Sequence, residues 1–230
     1  MGPFTAALER ARRSSPPPAG GAAPRKERNA AATRLRILDA AEREFAARGF
    51  AGARLREIAD AAGVQTALIH HYFADKQGLY GAVLDRALVP TSAASFTLLG
   101  SGLDLAGMTE GLIEMLLRFH LENRQLLAVL RHEAVNGSDV LATIFGERIG
   151  PVVRAIEVFV EEKQRAGEVR ADLPASEIIL MAMAMVAYPF ADAGMVEAVM
   201  PGAVLGDEAS LLRRKKVIVS LLLDGIRPRR

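Results

Sequence analysis

LREIADAAGVQTALIHHYF, residues 55–73, is the stretch that decides the fold of this 230-residue chain. Gly63 divides it, because glycine readily takes the left-handed backbone conformation that ends one helix before another begins. Small and apolar residues recur at helical spacing on both sides, at Ile58, Ala59, Ala62, Val64, Leu68, Ile69 and Phe73. The pattern predicts a helix-turn-helix, whose second helix fits the major groove of DNA.

The flanking sequence extends this unit by one helix on each side. Asn29 suits an N-cap, and apolar residues at helical spacing predict a helix from there to about residue 48, ended by Gly49. Asp75 is expected to cap a helix from Lys76 to about residue 88, which Pro90 would end. Residues 91–104 contain Ser, Thr and Gly and suggest a loop.

The rest of the chain is expected to be helical, near residues 105–121, 124–135, 138–166, 174–193 and 207–225, with no sheet. The expected fold class is therefore all-α, with an N-terminal three-helix DNA-binding domain and a C-terminal helical domain. We expect three segments: a disordered basic tail at 1–28, the helix-turn-helix domain at 29–75, and a second helical domain at 76–230. The tail is either simply solvated or a basic arm that touches DNA through Arg25, Lys26 and Arg28.

Composition and motifs narrow the function classes. The net charge of +2 is too small to identify a nucleic-acid-binding protein, and the absence of Cys excludes disulfides and thiolate metal sites. The N-terminus lacks the apolar core of a signal peptide, and residues 178–190 are too short to span a bilayer, so we expect a cytoplasmic protein without a membrane. No P-loop, dinucleotide fingerprint, HExxH or nucleophile elbow is present, so we expect neither an enzyme nor a cofactor.

Three motifs taken together resemble the N-terminal domain of TetR/AcrR-type transcriptional regulators: ILDAAEREFAARGF, LREIADAAGV and ALIHHYFADKQGLYGAVL. The resemblance spans about residues 30–88. It departs from the family pattern at Ala53-Arg54, where Thr or Ser is common, at Gln65, where Ser is common, and at His70, where Tyr is common. The last two positions would face DNA, so the target sequence cannot be copied from relatives.

Within this motif, the side chains expected at DNA fall into two groups. Polar or small side chains of the second helix can meet base edges, and basic or phenolic groups can meet phosphates. The expected DNA-binding residues are Arg54, Arg56, Gln65, Thr66, Ala67, His70, His71, Tyr72 and Lys76.

The resemblance also implies that the helical domain at 76–230 serves ligand sensing and dimerisation, with a ligand cavity and a dimer interface. Apolar side chains and a few polar ones are candidates for the cavity, although core packing is the alternative for each: Met115, Phe119, His120, Arg131, Phe145, Met181, Met185 and Tyr188. Arg131 could hold a carboxylate, whereas the spacing of His120, His132 and Glu133 matches no metal-ligand motif. The dimer is expected through the apolar helices near 174–193 and 207–225, with completion of a monomer core as the alternative.

These expectations describe a ligand-responsive transcriptional repressor that binds a near-palindromic, double-stranded operator as a homodimer and is released by a small molecule. Two alternatives stay open. One keeps the family but makes the protein an activator or a regulator without a small ligand. The other is a helical module that binds a protein partner through its apolar stripes.

Overall fold

The computed structural model describes residues 25–135, 139–203 and 206–228. These ranges contain ten α-helices and no strand, which confirms the all-α expectation. In chain order they are α1 (Arg25–Gly52), α2 (Leu55–Ala62), α3 (Thr66–Phe73), α4 (Lys76–Leu99), α5 (Leu105–Glu122), α6 (Arg124–Val135), α7 (Asp139–Arg165), α8 (Ala175–Ala191), α9 (Ala193–Val199) and α10 (Glu208–Ile226).

The described residues form two compact units. The N-terminal unit contains residues 25–90 and 125–148, and the C-terminal unit contains residues 91–124 and 149–228, apart from the undescribed positions. This division differs from the boundary expected after residue 75, because α4 up to Pro90 and α6 from Gln125 onward group with the helix-turn-helix. The three-segment domain organisation stays a prediction, and residues 1–24 of the expected tail lie outside the described residues.

The N-terminal unit is built around α1, which packs against α2, while α2 packs against α3. Ile37, Leu38 and Phe45 are fully or almost fully buried, as the helical spacing predicts. The expected N-cap at Asn29 is wrong, because α1 begins at Arg25 and Asn29 lies inside it. The expected stop at Gly49 takes the form of a break within α1, where Gly49 adopts φ 67° and ψ 177°.

The expected end of α4 before Pro90, and the loop expected at residues 91–104, are wrong. The helix continues through Pro90 to Leu99, and only residues 100–104 separate it from α5. A proline inside a helix costs about 3 kcal/mol. Pro90 itself is exposed, whereas Leu88, Ala94 and Leu98 are buried. Burial of these three side chains offsets the hydrogen bond that Pro90 cannot donate. The sequence spacing alone does not show which of the two effects is larger.

The C-terminal unit has α5, α8 and α10 packed against one another. Its core includes Leu117, Val186 and Leu211, all completely buried. Two aspartates fix helix starts: the Asp104 carboxylate accepts from Gly107 N at 2.8 Å, and the Asp207 carboxylate accepts from Ser210 N at 2.8 Å. The latter bond holds the pKa of Asp207 below its usual value.

The remaining helices lie close to their expected ranges, except that the short helix α9 was not expected. Across the part of the chain that the structure describes, no single helix is long and apolar enough to cross a membrane, and α8 with α9 meets the length and composition test only as a pair bent by 82°.

Candidate nucleic-acid interface and ligand cavity

The turn between α2 and α3 has the geometry that the sequence predicts. Gly63 lies in the left-handed region with φ 63° and ψ 43°. Its N–H donates to Asp60 O at 3.2 Å, and Val64 N donates to Ala59 O at 3.0 Å. This pair of bonds satisfies the last carbonyls of α2. The next helix, α3, then starts at Thr66. The glycine therefore sets the orientation of α3 against α2.

One face of α3 is buried and the opposite face is exposed. Ile69 and Phe73 are buried, so the packing positions expected for this helix include both. Gln65, Ala67, His70 and His71 are exposed, while Thr66 and Tyr72 are half-buried. All six residues expected to meet DNA on α3 or at its N-cap are therefore at least partly accessible to solvent.

His70 is oriented by the end of its own helix. Its Nδ1 lies 2.8 Å from the Ala74 carbonyl oxygen. Because a carbonyl oxygen only accepts, Nδ1 must carry a proton in this contact, and the neutral ring then presents Nε2 as an acceptor. Ala74 has φ 65°, and Asp75 N donates to Phe73 O across it, at 2.8 Å. This is a strained γ-turn for a non-glycine residue.

Basic side chains lie at the starts of α2 and α4. Arg54 is the exposed N-cap residue of α2 and makes no capping bond with its side chain, as the departure from the family pattern implies. Arg56 is also exposed, with Nε 3.9 Å from Asp60 in a loose ion pair. At the start of α4, the Lys76 ammonium donates to Ala51 O at 3.2 Å and lies 4.9 Å from the centre of the Phe50 ring. Two of its three protons remain for another acceptor.

Glu133 of α6 contacts the end of α1 just after the break at Gly49. Its buried carboxylate accepts from Phe50 N at 2.5 Å. A Cβ built on Gly49 would overlap the His132 ring, so glycine is required there both by contact and by its backbone angles. Sequence reasoning missed this contact, because 83 residues separate Phe50 from Glu133.

The Phe45, Phe50 and Tyr80 rings form an aromatic cluster beside this contact, with centroids 5.0 Å apart for Phe45–Tyr80 and 5.1 Å for Phe50–Tyr80. Tyr80 is completely buried, and its hydroxyl has no hydrogen-bond partner among the described residues. Burial, together with the Glu133 charge, raises the pKa of Tyr80 well above its usual value.

A cavity of about 140 Å³ lies inside the C-terminal unit. Its wall is almost wholly apolar and is made by residues of α4, α5, α7, α8 and α10. The lining residues are Thr91, Ser95, Leu105, Met108, Thr109, Leu112, Ile113, Met115, Leu116, Ile149, Val152, Val153, Ile156, Phe159, Val160, Ile178, Ile179, Ala182, Met183, Leu222 and Ile226.

Of the eight residues expected to bind ligand, only Met115 lines this cavity. Arg131 is exposed and Phe145 is half-buried, and both belong to the N-terminal unit. Met181, Met185 and Tyr188 are exposed on α8. Because α8 is apolar nearly all round, its sequence gives no period from which the cavity-facing side could be read.

The last two, Phe119 and His120, are half-buried and lie outside the lining. His120 Nδ1 is 2.7 Å from Leu116 O, and its ring centroid is 5.2 Å from that of Phe190. Burial lowers the pKa of His120. Across the described ranges, no three His, Asp or Glu residues are grouped so that they could hold a metal ion.

The buried charges of the C-terminal unit neutralise one another. Glu114, only 2% exposed, accepts from Arg118 Nε at 3.1 Å and from Lys215 Nζ at 3.0 Å. Arg118 also donates to both carboxylate oxygens of Glu208, at 3.1 and 2.6 Å. None of these four residues lines the cavity.

Comparisons with known proteins agree with this geometry. A model of the tetR family of bacterial regulatory proteins matches residues 37–83, and a model of tetracyclin repressor-like C-terminal domains matches residues 108–222. The chain is 29% identical over 158 residues to an HTH-type transcriptional repressor of Streptomyces coelicolor, covering 69% of this chain and 78% of the relative. It is 27% identical over 205 residues to the HTH-type transcriptional regulator RutR of Escherichia coli K12, covering 89% and 95%.

The fold is also similar to a solved structure. The fatty acid degradation regulator FadR of Bacillus halodurans superposes with a TM-score of 0.67 at 19% sequence identity, covering 86% of this chain and 97% of that one.

Proposed function

The chain belongs to the TetR family of bacterial regulatory proteins, and from this premise we propose that it is a repressor that binds a near-palindromic operator as a homodimer and leaves it when a small molecule binds. DNA-binding transcriptional regulation is the function of the family. Repression, the operator symmetry and the release by a ligand are the proposed parts. The observation that carries the proposal is the exposed polar face of α3 on a helix whose other face is buried.

The base-reading side chains are those of α3. Gln65 suits adenine through a bidentate amide contact, Thr66 can bond several bases, and Ala67 can touch a thymine methyl group. His70 with its proton on Nδ1 offers Nε2 as an acceptor, which complements adenine N6–H or cytosine N4–H. A contact from Nε2 to guanine would instead require the doubly protonated ring.

Phosphate contacts come from the edges of the motif. Arg54 and Arg56 begin α2, and Lys76 begins α4, where backbone N–H groups also favour an anion. His71 and Tyr72 complete the set on α3. Lys76 is already positioned by Ala51 and Phe50, so it can donate to a phosphate at a small cost in side-chain entropy.

A second copy of the chain is the proposed occupant of the exposed apolar faces of α8 and α10. Leu180, Met181 and Tyr188 of α8 are about half exposed, and Leu221 of α10 is 61% exposed. Large apolar patches of this kind mark interfaces, and these two helices are those that the sequence analysis expected at the dimer. Two recognition helices could then read two half-sites about 34–36 Å apart, or somewhat more.

The test selects bound sequences from random double-stranded DNA with the full chain. We expect enrichment of a near-palindrome, a mass of two chains by sedimentation, and lower reporter expression when the selected site overlaps a promoter. Leu221→Glu should give monomers and weaken operator binding, while Glu161→Gln on the exposed face of α7 is the control. Absence of an enriched site, or a monomer that binds the site as tightly as the native protein, would contradict the proposal.

A further inference from the structure

The cavity of the C-terminal unit carries no charge in its wall. None of the described residues that line it is Asp, Glu, His, Lys or Arg. The ionic group of the same unit, in which Arg118 and Lys215 pair with Glu114 and Glu208, balances its charges among its own members and lies outside the lining. An ionised ligand would therefore lose its hydration without gaining a counter-ion, which costs several kcal/mol.

Two of the three hydroxyl-bearing residues of the wall use their hydrogens within the protein. Ser95 Oγ donates to Thr91 O at 2.8 Å, and Thr109 Oγ1 donates to Leu105 O at 2.7 Å. A hydroxyl has one hydrogen and two lone pairs, so both oxygens can still accept a hydrogen bond from a ligand. The wall thus favours a ligand with one or two O–H or N–H donors over a ligand that needs donors from the protein.

The volume of the cavity indicates the size of ligand that fits without rearrangement of the wall. An engineered apolar cavity of about 150 Å³ stays dry and binds benzene, and this one is about 140 Å³. Met108, Met115 and Met183 lie in the wall, and the flexible methionine side chain adapts to differently shaped partners. One six-membered ring fits without rearrangement, and the methionines allow a longer apolar molecule.

We propose that the effector is an uncharged, mainly apolar molecule with at most two hydrogen-bond donors, and that the cavity rejects the corresponding carboxylate. This inference rests on the proposed function, since it takes the cavity as the effector site. It differs from the sequence expectation that Arg131 holds a carboxylate, because Arg131 is no part of the lining.

The test uses three ring compounds of similar shape and the full-length protein: p-cresol, toluene and 4-methylbenzoate at pH 7, by isothermal titration calorimetry. We expect saturable binding of p-cresol and toluene, with 4-methylbenzoate weaker by at least about 100-fold. Equal binding of p-cresol and 4-methylbenzoate, or no binding of any of the three, would overturn the inference.

Variants assign the binding to this cavity. Ala182→Phe fills it and should abolish binding, whereas Ala166→Phe at an exposed position of the same unit should not. The gentler Ser95→Ala/Thr109→Val double variant should lower the ratio of p-cresol to toluene affinity by about three- to tenfold, the value of one hydrogen bond. An unchanged ratio would overturn the role of the hydroxyls even if Ala182→Phe fails to fold.

The same titrations in the presence of operator DNA separate this inference from the proposed function. Binding of p-cresol without release of DNA would support the ligand class and contradict the ligand-released repressor. Specific operator binding without affinity for any of the probes would contradict the ligand class alone.

Discussion

In the N-terminal unit, a methyl group added at Gly49 would overlap the His132 ring, whereas the C-terminal unit leaves a cavity of about 140 Å³ among its side chains. The first unit presents fixed polar groups on α3, so its supporting turn is held by backbone angles and buried contacts. The second unit has a cavity wall that is apolar and includes flexible methionine side chains, which suits the proposed binding of a molecule. The difference shows that two units built only of helices can differ in packing, one being tightly packed at Gly49 and the other containing a cavity.

The largest expected effect comes from adding one methyl group to each unit. Gly49→Ala should lower the free energy of unfolding by more than about 3 kcal/mol, because its φ and ψ are accessible essentially to glycine alone. Gly111→Ala in α5 should change it by less than about 1 kcal/mol, since the new Cβ meets only the movable end of Leu98 at 2.8 Å and alanine favours the helix. Urea denaturation measures both. Equal losses would remove the contrast between the units.

The next prediction is a loss of stability when the contact between α6 and the end of α1 is removed. Glu133→Ala should cost about 1–3 kcal/mol, because the Phe50 N–H loses its buried acceptor. Glu133→Gln keeps an oxygen that can accept this bond and should cost less. Denaturation of the two variants side by side is the measurement. A loss of stability as large for Gln as for Ala would mean that the carboxylate charge, rather than the hydrogen bond to Phe50, stabilises the end of α1.

Base recognition should change by a similar amount at a single position. His70→Ala is expected to lose about 1–3 kcal/mol of preference for adenine or cytosine at one base pair. Binding to operators carrying each of the four bases there measures this, with Gln77→Ala, an exposed neighbour of the motif, as the control. A uniform loss on all four operators would leave His70 with a phosphate contact only. Thr66→Ala is judged by the same criterion.

Alkaline pH should weaken the N-terminal unit through Tyr80. Its pKa is raised by burial and by Glu133, so folding favours the protonated phenol. This contribution is complete below pH 10 and is lost as pH rises toward the raised pKa, by up to about 1.4 kcal/mol per pH unit. Denaturation of the native protein and Tyr80→Phe between pH 9 and 11 isolates the effect. Parallel curves for the two proteins would contradict the assignment.

The smallest expected effect is on the salt dependence of DNA binding. Lys76→Gln should weaken binding to operator and random DNA alike and reduce the slope of log affinity against log salt by about 0.9. Arg165→Gln makes the same charge change at an exposed position of the C-terminal unit and is the control. If both variants reduce the slope equally, long-range charge explains the effect and Lys76 makes no local contact.

The sequence was most informative where local chemistry determines structure. Gly63 and the buried positions Ile69 and Phe73 could be predicted because a left-handed turn and helical spacing leave marks within a few residues. The end of α4 could not be predicted in this way, because Pro90 is typical of a helix end. Only the burial of Leu98 and its neighbours in the folded chain outweighs that effect. The cavity wall was the least predictable part, because every side of α8 is apolar.

By itself, the sequence determined the all-α class, the helix-turn-helix and the family, because glycine angles and helical periods act over short distances. The tertiary structure alone decided which helix faces enclose the cavity and that Glu133 reaches Phe50, across 83 residues. It also oriented His70 Nδ1 toward the Ala74 carbonyl, which leaves Nε2 as the nitrogen for the proposed DNA contact. These features depend on the packing of distant segments and on the burial it creates, neither of which a local pattern contains.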